Sequence, residues 1–233
     1  MVGGSFEMVV KRIVSSVDEY HRLTGDLALP EPLYGLVVFA HGSGSSRLSP
    51  RNQFVADYLN KQGLATLLLD LLTPEEDRIY SNRFNIELLT KRLLHMATWV
   101  SDQREFRYLP LGFFGASTGA AAALRAAAQF TGELKAVVSR GGRPDLAGDE
   151  SLGLVSAPTL LIVGGEDRDV LELNRRAFSK MHCERELYVV PGAGHLFEEA
   201  GKLQEVADLA AGWFLRHFPQ QQERAIAAGP AEL

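Results

Sequence analysis

Six short apolar runs recur along the chain: Leu36–Ala40, Leu64–Leu69, Leu111–Phe114, Ala136–Val138, Thr159–Val163 and Glu186–Val190. Most are continuous rather than alternating, the pattern of strands buried on both faces. Between them the apolar residues return every three or four positions, as on an amphipathic helix. Phe54, Val55, Tyr58 and Leu59 form one such stripe, which Gly63 stops. Ile86, Leu89, Leu93, Met96 and Val100 form a second, with Asn85 placed to cap it. Helices are also expected after Gly119, around Leu173 to Met181, and from Leu203 to His217, the last burying Val206, Leu209, Ala210, Trp213 and Phe214. Residues 6–13 and 23–29 read as two further strands, a hairpin at one sheet edge. Residues 71–84 read as a polar loop and 140–156 as a short glycine-rich connection.

Strands alternating with helices demand a mostly parallel sheet with helices on both faces. The chain is 233 residues long and 46% hydrophobic, enough for one large α/β core. We expect a single domain over 1–218 and a frayed tail over 219–233, which is polar and alanine-rich. The net charge of −5 and the lack of any Lys/Arg run argue against nucleic acid or an anionic membrane as main partner. Cys183, the one cysteine, excludes an internal disulfide, and no zinc-ligand spacing accompanies it. There is no signal-peptide pattern and no run near the roughly 18 apolar residues of a membrane span, so a cytoplasmic protein is expected.

Sheets of this kind carry their sites at the carboxyl ends of the strands. Ser43, Ser117, Arg140, Asp167 and His195 all fall there. Ser117 stands out, in Gly115-Ala116-Ser117-Thr118-Gly119 between an apolar run and an alanine-rich helix. A serine on such a tight strand–helix turn has an exposed hydroxyl, and flanking glycines let the helix fold back onto the strand. A hydroxyl near neutral pH needs a base, and the base needs a group that fixes its tautomer. His195 and Asp167 follow downstream in the order Ser, Asp, His, with Asp169 the rival acid. The oxyanion of an acyl-transfer intermediate would be held by the N–H groups of Thr118 and Ser43. His41 reads as a side chain bonded beneath the Ser43 loop rather than as a base.

Together, Val38-Phe39-Ala40-His41-Gly42-Ser43-Gly44-Ser45, the Ser117 pentapeptide, Val163-Gly164-Gly165-Glu166-Asp167 and Pro191-Gly192-Ala193-Gly194-His195 resemble the α/β-hydrolase superfamily in its dienelactone hydrolase-like branch. The likeness spans about residues 23–218. It implies an α/β-hydrolase fold and cleavage of a small-molecule ester, lactone or thioester through an acyl-enzyme, without metal or organic cofactor. Dienelactone hydrolases proper carry cysteine where this chain has Ser117, which speaks against the dienelactone substrate itself. Many relatives insert a helical cap after the strand ending near Val138, and residues 140–156 leave no room for one. Arg140 is the leading candidate for binding a substrate carboxylate, ahead of Arg47, Arg51 and Arg143. Tyr80, Phe84 and Leu196 are candidates for an acyl pocket. Two rival readings stand beside the enzyme: a dinucleotide-binding loop at Gly42–Ser46, where Arg47 replaces the third glycine, and a non-catalytic binding module on a hydrolase scaffold.

Overall fold

A computed structural model describes residues 7–218. Strands β1 (Glu7–Ser16) and β2 (Arg22–Glu31) form the expected hairpin at one edge of an eight-stranded sheet, ordered β1-β2-β4-β3-β5-β6-β7-β8. The expected start of β1 at Phe6, and the tail at 219–233, lie outside the described residues. The remaining strands are β3 (Gly35–Ala40), β4 (Leu64–Leu69), β5 (Leu111–Ala116), β6 (Leu134–Arg140), β7 (Thr159–Gly164) and β8 (Arg185–Val190). All six of these run parallel, and β2 joins β4 antiparallel.

Every residue of β3, β4, β5 and β7 is buried, because helices cover both faces. The helices are α1 (Pro50–Lys61), α2 (Pro74–Asp77), α3 (Ile86–Asp102), α4 (Thr118–Gln129), α5 (Asp149–Leu154), α6 (Arg168–Lys180) and α7 (Lys202–His217). Successive strand residues point to opposite faces, so each strand feeds two cores. Val37, Phe39, Phe114 and Val138 pack with Val55 and Leu59 of α1 and Phe214 of α7. Leu36, Val38, Phe113 and Val137 pack with Leu93 and Met96 of α3 and the alanines of α4.

Local chemistry accounts for the helix ends. Asn85 caps α3 as expected, its side chain accepting from the Leu88 N–H at 3.1 Å, and the five residues of the expected stripe are all buried. Ser49 caps α1 with Pro50 in the first turn. Phe54 departs from its expected place: it is 41% exposed, and α1 turns Asn52, Val55, Ala56, Leu59 and Asn60 inward instead. Asn60 explains the rotation, since its amide donates to the Leu64 carbonyl and to Thr66 and so satisfies a polar group inside the core. Helix α6 begins five residues before the expected stripe, directly after Asp167. The supposed loop at 71–84 holds α2 and a 3-10 turn at Tyr80–Phe84, and the connection at 140–156 holds a 3-10 turn at Pro144–Ala147 and α5.

Candidate active site

Ser117 stands between β5 and α4 with φ 52° and ψ −121°. A positive φ is uncommon for a residue with a Cβ and is kept only where the surroundings over-determine it. Here two glycines supply that constraint. An ideal Cβ on Gly115 would lie 2.4 Å from the Ala120 Cα, and one on Gly119 would lie 2.2 Å from the Ala40 carbonyl oxygen. The turn therefore closes only with glycine on both sides, and the strained serine backbone is the conformation left. Alanine fills α4 for the same reason, since larger side chains would hold the helix away from the sheet.

Asp167 ends the turn after β7, and its Oδ2 lies 2.6 Å from Nδ1 of His195. Asp169 sits exposed in the first turn of α6, away from this contact. With Nδ1 held by Asp167, Nε2 is the ring nitrogen of His195 left for another partner. Topology alone would keep this histidine from the serine. Strands β5 and β8 are three places apart, about 14 Å at normal strand spacing. The loop after β8 makes up the difference by folding back across the strand tips. The Glu166 N–H donates to the Ala193 carbonyl at 3.0 Å, and a Cβ on Gly164 would strike that carbonyl at 2.3 Å. The His195 ring thereby reaches the tip of β6, its Cε1 3.7 Å from the ideal Cβ position of Gly141. Gly194 donates its N–H to Glu199 at 2.9 Å and Arg51 pairs with Glu198 at 3.0 Å, which ties the loop to itself and to α1. Among the described residues His195 bonds to Asp167 and not to Ser117 Oγ, a contact that in free enzymes is often long.

The loop after β3 runs beside the elbow. His41 is buried, donates from Nδ1 to the Gly42 carbonyl at 2.9 Å, and accepts the Leu71 N–H at Nε2, 3.0 Å away. Burial pushes its pKa below the usual histidine value. Both nitrogens are engaged in holding the loop, the role expected of this residue. Thr118 opens α4, so its N–H is one of those a helix start leaves unpaired. The Ser43 N–H is differently placed: it donates to Oγ1 of Thr118 at 2.8 Å.

The arginines separate clearly. Arg47 binds Asp70 through its backbone N–H and side chain and also reaches Asp26, while Arg143 forms a fork with Asp145. With Asp70 holding Arg47, the Gly42–Ser46 turn is closed by an ion pair at the position a dinucleotide loop would leave to ribose. Arg140 is 7% exposed, turned toward α1, with Nη2 donating to Asn52 at 3.3 Å and Nε and Nη1 enclosed without a partner among the described residues. Burial and the neighbouring Arg51 lower its pKa to about 10. Tyr80 and Phe84 stand exposed against each other, ring centroids 5.3 Å apart, and Leu196 is also exposed. A cavity of about 180 Å³ lies beside the loop after β3, lined by Ser45, Ser46, Asp70, Leu72, Thr73 and Asp77 among others. Two contributors escaped the sequence reading. Asn174, fully buried on α6, donates to the Gly142 carbonyl behind the elbow, and Phe197 adopts φ 57° in the core under His195. The Gly142 partner of Asn174 lies 32 residues away in sequence, so no local pattern signals it.

This sheet order, elbow and returning histidine loop define an α/β-hydrolase. No family model matches the chain. The crystal structure of dienelactone hydrolase from Anabaena variabilis superposes with a TM-score of 0.87 at 48% identity, covering 91% of this chain and 99% of that one. The chain belongs to the dienelactone hydrolase-like branch of the α/β-hydrolases. Est1E from Butyrivibrio proteoclasticus shares the fold, with a TM-score of 0.74 at 15% identity over 88% of this chain and 98% of that one. Two curated Mycobacterium tuberculosis proteins, from strains CDC 1551 and H37Rv, are named putative phosphoribosyl transferases. Both are 60% identical over 196 residues, 84% of this chain. The chain spans 44% of the length of each. Among the described residues no helix is long and apolar enough to cross a membrane.

Proposed function

We propose that the protein is a serine hydrolase cleaving a small ester, lactone or thioester through an acyl-enzyme. The observation that carries this reading is the 2.6 Å Asp167–His195 contact, built by a loop that brings the base back toward a serine on a strained turn. In the first step Ser117 Oγ attacks the substrate carbonyl and its proton passes to Nε2 of His195. Asp167 holds the imidazole and stabilises its charged form. The oxyanion of the tetrahedral intermediate lies at the start of α4, where the Thr118 N–H and the helix dipole favour negative charge. His195 then protonates the leaving group, activates water against the acyl-enzyme and returns the proton to Ser117.

The relatives' name is compatible with this reading. We infer that phosphoribosyl transfer belongs to the part of those longer proteins that this chain does not match, since the matched part has the hydrolase fold. The test is hydrolysis of p-nitrophenyl esters from acetate to octanoate, with Ser117→Ala as control and a fluorophosphonate probe for the serine. Turnover lost in Ser117→Ala, together with labelling of Ser117, supports the assignment. No turnover and no labelling would leave a binding module on a hydrolase scaffold.

A further inference from the structure

Thr118 is 4% exposed, and its hydroxyl oxygen accepts the Ser43 N–H at 2.8 Å. This contact has two consequences. The Ser43 N–H, which the sequence reading assigned to the oxyanion, is already occupied. The Thr118 hydroxyl proton, in turn, has no acceptor among the described residues. A threonine inside a helix returns its proton to the carbonyl four residues back, but Thr118 is the first residue of α4 and residue 114 belongs to β5. A buried hydroxyl is rarely left with an unused donor. This one sits directly after the nucleophile, on the residue whose own N–H faces the developing charge.

Building on the hydrolase reading above, we propose that the Thr118 hydroxyl is itself an oxyanion donor, with Ser43 acting behind it. The hole then consists of the Thr118 N–H and the Thr118 Oγ1–H, both from one residue. The Ser43 N–H reaches the oxyanion only through the threonine oxygen, whose O–H it polarises, as donors in a chain strengthen one another. When the bond from Ser117 Oγ to the carbonyl carbon forms, the π electrons move onto the carbonyl oxygen. The Thr118 hydroxyl meets that charge with a hydrogen bond and keeps its proton. Donation is worth more to the transition state than to the ground-state carbonyl, so the hydroxyl acts on kcat more than on KM.

The test compares Thr118→Val, Thr118→Ala and Thr118→Ser with the wild type on one p-nitrophenyl ester. It also uses a trifluoromethyl ketone, whose adduct with the serine carries the oxyanion, and the corresponding simple ketone, which resembles the ground state. Valine puts a methyl group where the oxygen was, which removes the donor and still covers Ser43. Alanine uncovers the Ser43 N–H, which can then meet the oxyanion directly. The expected order is wild type and Ser about equal, Ala lower, and Val lowest, with kcat for Val down by about 10²- to 10³-fold at similar KM. Inhibition by the trifluoromethyl ketone should weaken in parallel, and inhibition by the simple ketone should not. A hydroxyl that merely clamps the loop would move both inhibitors and the melting temperature together. Alanine as active as wild type, or more active, would mean that the hydroxyl only covers the Ser43 N–H, and the proposal falls. Valine within about threefold of wild type overturns it as well. An inactive, unlabelled wild type instead defeats the hydrolase reading itself, so the two failures are distinguishable.

Discussion

Gly119→Ala is the most demanding test of how the elbow is built. The added methyl group would lie 2.2 Å from the Ala40 carbonyl oxygen and 2.4 Å from that of His41. Real Cβ atoms essentially never come within 3.0 Å of such neighbours, so the gap must open by about 0.8 Å. Both obstacles are backbone, on a strand buried to 1% or less and on the residue that carries the His41 bonds. Neither can swing aside as a side-chain tip would, so α4 and the loop after β3 have to part. Overpacking of this kind costs about 1–3 kcal/mol of stability, and a shift near 1 Å in a reacting geometry costs about 100-fold in rate. The assay pairs thermal denaturation with kcat/KM on the preferred p-nitrophenyl ester. We expect a melting temperature lower by a few degrees and kcat/KM lower by about 100-fold, with the rate suffering more than the fold. A variant with wild-type rate and wild-type stability would show that helix and loop are not pressed together here, and the account of why Ser117 is strained would fail with it.

Other substitutions check separate parts of the site and scaffold. Asp167→Asn should lower kcat by about 10²- to 10⁴-fold while Asp169→Asn stays within about twofold, because only Asp167 reaches His195; the reverse result would reassign the acid. Gly212 lies exposed inside α7 with open space around it, so Gly212→Ala should raise stability by about 0.5–1 kcal/mol in urea denaturation; a loss would mean that α7 is not an ordinary helix there. His41 is held neutral with its pKa depressed, so the unfolded chain binds the extra proton first as pH falls below the ordinary histidine value. Stability should therefore drop from pH 7 toward pH 5, and less steeply in His41→Gln, as followed by urea midpoints; equal slopes would refute the assignment. We also propose Arg140, which has no carboxylate partner among the described residues, as the group meeting an anionic part of the substrate. Arg140→Met should then raise KM for a p-nitrophenyl hemisuccinate several-fold and leave the butyrate unchanged, and equal KM values on both would remove Arg140 from the site.

Much of the molecule was legible in the chain because the relevant physics is local. Continuous apolar runs imply strands covered on both sides, and β3, β4, β5 and β7 are buried throughout. Asn85 before a stripe of period 3.6 is a cap, and it caps α3. Gly115 and Gly119 around a serine imply a turn too tight for side chains, and the contact distances bear this out. That Ser117, Asp167 and His195 fall at strand ends needs only the positions of the apolar runs, and they follow β5, β7 and β8. What the sequence could not supply are the relations between distant segments. Asp169 stayed a rival to Asp167 on paper, and only the fold of the turn into α6 directs one at His195 and the other to solvent. Phe54 looked like a core residue until Asn60 found partners at Leu64 and Thr66 and set the rotation of α1. Arg140 read as a cation for a substrate carboxylate, and only the packed structure sets it at 7% exposure against Asn52 of α1. The Ser43 N–H looked free until the Thr118 side chain, 75 residues away, was seen to occupy it. Periodicity and propensity record what each residue prefers by itself. Which hydrogen bonds a buried polar atom makes depends on what the completed packing brings within 3 Å of it, and that is decided only when the sheet and its helices close together.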